Sequence, residues 1–230
     1  MFDFIPQQLG DRLGEEVADR LRGVVEIVEL ALRRVYEMDS EAYDPSVGDN
    51  SQLFGQNIWH HGWFAIEESL DGFDGVVVSH EDNSHRIRLG ELTVAVYKGG
   101  KEEVDRLDDV NLNGSATKRN HVARNQLQLF SPEDFRRRIA ERAYELNTLW
   151  IVHFGNPREQ LVKLYLGAPT RDAQDQTEWA WYRRIDDGGA AETVAPPLPE
   201  MPPSFDEQPE PEIPLELEED VEEARGPDGE

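Results

Sequence analysis

The chain contains no cysteine among its 230 residues. This absence excludes disulfides, thiolate nucleophiles and thiolate-based zinc or iron–sulfur sites. Long apolar runs are also missing, since no stretch approaches the roughly 18 apolar residues that span a bilayer. The amino terminus lacks the basic start and apolar run of a secretory signal. The sequence therefore predicts a soluble cytoplasmic protein with no membrane association.

Positive charge is scarce. The chain has 23 Lys and Arg against 48 Asp and Glu, a net charge of −25. Such a surplus repels a phosphate backbone, which makes direct nucleic-acid binding unlikely. It leaves two other interpretations open: adaptation to high salt, or an acidic mimic of DNA that occupies a basic groove on another protein.

Aromatic residues are almost absent from residues 189–230, where Phe205 stands alone among nine prolines, fourteen acidic residues and one basic residue. This composition cannot bury enough apolar surface to offset the entropy lost on ordering. We therefore predict a single α+β domain over residues 1–188 and a disordered, Pro/Glu-rich acidic tail over 189–230. Four apolar residues alternate with acids in the tail and are its predicted partner-binding residues; the alternative is a tail that only solubilises. They are Ile213, Leu215, Leu217 and Val221.

Within the domain, apolar residues recur at three- and four-residue steps in two segments, which indicates helices over 11–38, with a break allowed at Gly23, and over 51–70. A third helix is predicted from the capping sequence at Ser131 to about Leu146.

Six strands are predicted from alternating or continuous apolar runs. The first three are separated by turn-type residues, which favours an antiparallel meander. In the last strand, Trp179, Trp181 and Ile185 are expected on one side, and the polar stretch 99–125 is the longest irregular segment. The predicted strands cover residues 73–79, 84–89, 92–97, 149–154, 161–166 and 178–185. Together these elements predict an α+β fold with one mixed sheet.

Histidine is the only soft metal ligand in a chain without cysteine. His80 and His85 flank the turn 81–83 and can meet across a hairpin, where Asp82 would complete a three-ligand metal set. The alternative is that these are hydrated turn residues, which is the usual role of polar side chains at such positions.

A second candidate site lies on the helix predicted over 51–70. His60, His61 and Glu67 lie near Trp59 and Trp63, so they could form catalytic acid/base groups along an aromatic pocket. The alternative is favoured by the residue types: aromatics at helical spacing form core, while histidine and glutamate face water.

The order of helix, three strands, helix and further strands resembles the core of PD-(D/E)XK nucleases. Those enzymes need an acid two residues before a lysine on the third strand, to hold magnesium beside the lysine. Here Glu91 and Lys98 are seven residues apart. The resemblance therefore concerns element order, and an active nuclease of this type is disfavoured.

Seven phrases within residues 50–185 carry a further resemblance. They are Leu53-Phe54-Gly55, 63–67, 92–98, 114–117 with Arg124-Asn125, 150–157 (WIVHFGNP), 165–169 (YLGAP) and 178–181. On these phrases the chain resembles an uncharacterised actinobacterial protein family whose members look like companions of helix-turn-helix regulators bearing a metallopeptidase domain. No activity is established for that family, so the resemblance implies no catalytic residue.

No phosphate-binding glycine loop, nucleophile elbow or kinase signature is present. Our leading functional prediction is an accessory or regulatory protein of a bacterial or phage-borne system, which acts through contacts with another protein and needs no cofactor. The alternatives are a metal-dependent hydrolase or nuclease-like enzyme, and the acidic DNA mimic.

Overall fold

The computed structural model describes residues 4–81, 84–101, 104, 106–110, 118, 119, 122, 125, 143–171 and 177–185. These residues form three helices and a six-stranded mixed sheet, which confirms the predicted α+β class. The helices are α1 (Gln7–Leu13), α2 (Glu15–Ala42) and α3 (Ser51–Leu70). The strands are β1 (Val77–Glu81), β2 (Ser84–Leu89), β3 (Leu92–Gly100), β4 (Thr148–Asn156), β5 (Gln160–Arg171) and β6 (Thr177–Arg184).

The first predicted helix is interrupted at Gly14 and not at Gly23. Gly14 has a φ of 78°, a conformation that glycine adopts without strain, and it separates α1 from α2. Gly23 stays inside α2, and the ring of Phe73 packs where its side chain would be. A Cβ at Gly23 would lie 2.9 Å from Cζ of Phe73.

Helix α3 has the bounds that the sequence predicts. Asn50 begins it, since its Oδ1 accepts hydrogen bonds from the backbone N–H groups of Gln52 and Leu53 at 2.9 and 3.0 Å. A 3₁₀ turn over Pro45–Val47 reverses the chain between α2 and α3. The two long helices pack closely at Gly62, where a Cβ would lie 3.4 Å from the Leu32 side chain.

Strand order in the sheet follows the sequence. Strands β1, β2 and β3 form the predicted antiparallel meander, β3 and β4 are parallel, and β5 and β6 continue antiparallel. The helix predicted from Ser131 lies outside the described residues up to residue 142. At its predicted end, residues 143–145 form a turn.

Strand β5 extends beyond its predicted end at Leu166, through Pro169 to Arg171. Proline is tolerated because β4 pairs with β5 only as far as Gly167, so the missing N–H costs no bond to β4. A register shift between Ala168 and Pro169 also displaces β6. As a result the prediction for Trp179 is wrong: this residue packs in a different cluster from Trp181 and Ile185.

The sheet has two differently built faces. The helix face packs against the helices through aliphatic residues such as Val94, Ile151 and Leu164. Alternate residues point the other way and form the aromatic face, which is rich in rings. It comprises Ala95, Trp150, Val152, Phe154, Tyr165, Trp179 and Tyr182, covered by Leu107 and Val122.

Segments of the long polar stretch are bonded to the sheet. The buried side chain of Asn125 donates to the carbonyls of Thr148 and Pro169 at 2.8 and 2.7 Å and accepts from the N–H of Thr148 at 3.1 Å. Tyr165 donates its hydroxyl to the Val104 carbonyl at 2.7 Å. The bonds of Asn125 hold the start of β4 and the end of β5 together, and that of Tyr165 ties Val104 to the sheet.

None of the helices in the described part of the chain is long and apolar enough to cross a membrane. The boundary predicted at Gly188 and the tail residues Ile213, Leu215, Leu217 and Val221 lie outside the described residues. The two-part domain organisation therefore stays a prediction.

Candidate metal centre

His80 of β1 and His85 of β2 are directly opposite each other across the hairpin. Directly opposed residues of an antiparallel pair point to the same face of the sheet. Their ring centroids are 3.4 Å apart. The hairpin thus brings together the two imidazoles that the spacing suggested.

A carboxylate from α3 completes the cluster. Oε1 of Glu67 lies 3.1 Å from Nδ1 of His85, and the ligand atoms of Glu67, His80 and His85 all lie within 4.8 Å of one another. Two imidazoles and one carboxylate are a donor set that suits Zn²⁺. The predicted third ligand, Asp82, lies outside the described residues, and Glu67 provides the carboxylate that the structure places beside the histidines.

The two histidines differ in their surroundings. The His85 side chain is only 7% exposed and stacks on Trp63 with ring centroids 4.3 Å apart, whereas His80 is exposed. Burial lowers the pKa of His85, an effect that the carboxylate of Glu67 opposes and that the imidazoles of His80 and His60 reinforce. A neutral imidazole is the form that binds a metal ion.

The structure does not bring His60, His61 and Glu67 into one catalytic group. His60 is exposed and stacks on Trp59, with ring centroids 6.4 Å apart. His61 instead pairs with Asp39 of α2, where Nδ1 and Oδ1 are 2.8 Å apart. Glu67 therefore belongs with the hairpin histidines and His61 with the α2–α3 contact.

The two tryptophans of α3 differ in exposure. Trp63 is buried in the core, as expected for an aromatic stripe, while Trp59 is 48% exposed. The Trp59 ring lies edge-on to His85 with centroids 5.7 Å apart. Two indole rings thus form one side of the cluster. The side chain of Glu67, which is 43% exposed, and that of His80 are accessible to solvent on the other side.

A second polar group, which the sequence did not indicate, lies between α2 and the sheet. The Tyr36 hydroxyl and Nδ1 of His153 share a buried hydrogen bond of 3.0 Å. The Lys98 ammonium lies 5.6 Å from the Tyr36 ring centroid and 5.1 Å from that of Phe54. The one available signal was a histidine within the apolar run WIVHF, which predicts a buried strand.

Burial controls the ionisation of this group. It lowers the pKa of His153 to about 3, aided by the charges of Lys98 and Lys118. Burial also raises the pKa of Tyr36 well above its usual value, and burial together with the charge of Lys101 lowers the pKa of Lys98 to about 8. Tyr36 and His153 are therefore both neutral at pH 7.

Lys98 does not form the nuclease motif. The residue two positions before it is the buried Val96, and Glu91 lies in the turn that precedes β3. No carboxylate group is therefore available at the position where the D/E-x-K arrangement would hold a magnesium ion.

Comparisons with known proteins found no match: no family model, no curated protein and no solved structure is similar to the chain. The resemblance to a family of regulator companions therefore stays a prediction.

Proposed function

We propose that the protein binds a divalent metal ion of the zinc class through Glu67, His80 and His85. The observation that carries the proposal is the convergence of three donor atoms within 4.8 Å of one another from two consecutive elements, α3 and the β1–β2 hairpin. The donor chemistry matches zinc, which takes imidazole nitrogen and carboxylate oxygen at about 2.0–2.2 Å.

The described residues provide three protein ligands for an ion at this position. A set of three would leave the fourth position of a tetrahedron for water or a partner group, which is the arrangement of catalytic zinc and not of structural zinc. The exposure of His80 and of the Glu67 side chain gives that position access to solvent. In the alternative in which the protein is a metal-dependent hydrolase, these same three residues would hold the catalytic metal ion.

Isothermal titration of the metal-free protein with zinc tests the proposal. We expect one high-affinity site in the native chain and a loss of more than about 100-fold in affinity for His80→Ala and for Glu67→Gln, because removal of an outer-shell partner alone costs 10–100-fold. Glu68→Gln is the matched control, an exposed glutamate on α3 outside the three-ligand set. Equal affinity in all four proteins would refute the assignment.

The accessory role through protein contacts is a second candidate, favoured by apolar side chains exposed on the helices. Phe64 is 67% exposed, Leu30 is 68% exposed and Trp59 is 48% exposed. Exposed rings of this kind are typical anchors at protein interfaces.

A pull-down with four proteins tests this second role: the native chain, a chain ending at Gly188, a Trp59→Ala, Phe64→Ala variant, and Arg158→Ala, in the exposed turn between β4 and β5, as a surface control. Loss of a partner from the shortened chain would assign the contact to the tail with Ile213, Leu215, Leu217 and Val221. Loss from the double variant would assign it to α3. Identical partners for all four proteins would remove both surfaces from the proposal.

A further inference from the structure

Three of the four lysines of this acidic chain lie where the parallel strands β3 and β4 end, in the centre of the sheet, and the fourth contacts β3. Lys98 is near the end of β3, Lys101 follows it, and Lys163 of β5 pairs with the end of β4. The Lys118 ammonium lies 5.1 Å from the ring centroid of Tyr97 on β3. In open sheets with parallel strands, ligands bind outside the carboxyl ends of those strands.

Two of these lysines reach the same part of α3. Lys101 Nζ donates a hydrogen bond of 2.5 Å to Oγ of Ser51, the first residue of the helix. Lys98 Nζ lies 3.7 Å from where a Cβ would stand at Gly55, one helical turn further on. Both ammonium groups therefore lie along the first turns of α3.

Neither ammonium group has a carboxylate partner in the part of the chain that the structure describes. Lys98 is half-buried over the rings of Tyr36 and Phe54, which hold the cation without neutralising it. The charge of Lys101 adds to burial in lowering the pKa of Lys98 to about 8. Two neighbouring cations with no counter-ion repel each other, and an anion between them would relieve that repulsion.

We infer that Lys98 and Lys101 form a binding site for the phosphate group of a small molecule. A phosphate group carries close to two negative charges on one centre at pH 7, which matches two neighbouring ammonium groups better than a carboxylate with a single charge. Lysine binds phosphate as a point charge, and it occupies both positions here although the chain has nineteen arginines and four lysines.

Isothermal titration with inorganic phosphate, at ionic strength held constant with sodium chloride, tests the site. We expect binding to the native chain and an affinity at least about tenfold lower in Lys98→Met and in Lys101→Met, because each loses a hydrogen bond to a charged group worth about 1.5–3 kcal/mol. Arg33→Met removes a cation that is paired with Glu29 on α2 and should leave the affinity unchanged.

Succinate at the same concentration is the second probe, and we expect it to bind more weakly than phosphate. Because Lys101 is exposed, Lys101→Met keeps the test decisive even where loss of Lys98 disturbs folding. Absence of phosphate binding to the native chain would overturn the inference. Equal binding by the lysine variants and Arg33→Met, or equal binding of succinate, would overturn it as well.

Discussion

The two faces of the sheet differ in what they offer to a ligand. The helix face carries titratable side chains, with His85 beside Glu67 at the hairpin and His153 beside Lys98 near the parallel strands. The aromatic face is filled with rings in edge contact, such as Trp150 against Tyr97 and Trp179. This comparison separates binding from stability: substitutions on the aromatic face should reduce stability, and those in the metal cluster should reduce binding.

The largest stability effect should come from Trp150→Ala on the aromatic face. Trp150 is fully buried, and its indole nitrogen has no hydrogen-bond partner among the described residues, so the loss is one of packing. We expect the free energy of unfolding in urea to fall by about 3–5 kcal/mol. Trp59→Ala, at a site 48% exposed, is the control and should cost much less. Similar losses of unfolding free energy for the two tryptophan variants would contradict the claim that the aromatic face carries the stability.

Asn125→Ala should destabilise the edge of the aromatic face by about 3 kcal/mol. The substitution leaves the N–H and carbonyl of Thr148 and the carbonyl of Pro169 without their partner, and each orphaned buried group costs about 1–3 kcal/mol. Urea unfolding measures the change, and Asn50→Asp, which keeps a capping oxygen, is a control with little expected loss. A change under 1 kcal/mol would show that these bonds do not hold the edge.

The buried imidazole of the helix face should make stability depend on pH. The pKa of His153 is about 3 in the folded chain against 6.5 for a free histidine, so below pH 6.5 the unfolded chain binds a proton that the folded chain does not. Stability should therefore fall as the pH decreases from 6.5 towards 3.

Comparison of the native chain with His153→Gln isolates this effect. Between pH 7.5 and 5.5 the native chain should lose about 1.4 kcal/mol more of its unfolding free energy than the variant. Denaturant titrations at the two pH values provide the measurement. The same loss in both proteins would show that His153 is not held neutral by the fold.

The smallest expected change in stability is the difference between alanine substitutions at two helical glycines. Gly10→Ala in α1 meets no atom within 4 Å and should stabilise the protein by about 0.5–1 kcal/mol. Gly23→Ala should lose that gain or destabilise the protein, because its Cβ would stand 2.9 Å from the ring of Phe73. Thermal unfolding of both variants measures the difference, and an equal gain would mean that the Phe73 ring moves aside without cost.

Local signals predicted the elements that local forces determine. Helix α3 has its predicted bounds because the cap at Asn50, the apolar spacing and the ending at Asp71-Gly72 all lie within the segment. The packing of Gly23 inside α2 was missed because the ring that fills the space at Gly23 comes from Phe73, fifty residues away. The phase of β6 was missed because its pairing with β5 shifts register by one residue, with Trp181 opposite Ala168 and Trp179 opposite Pro169.

The candidate site also has one part that the sequence could predict and one that it could not. The approach of His80 to His85 follows from hairpin geometry and could be predicted from their spacing. The contribution of Glu67 could not, because it depends on how α3 packs against β2. The pair of Tyr36 and His153, 117 residues apart, was equally inaccessible to local reasoning.

The location of a bound metal tests the account most directly. Anomalous diffraction above the zinc edge, on crystals of the native chain grown with zinc, should show a peak between Glu67, His80 and His85. The distances to one nitrogen of each histidine and to a carboxylate oxygen should be about 2.0–2.2 Å. Absence of a peak there, in crystals where zinc is bound elsewhere, would contradict the proposal that this cluster is a metal centre.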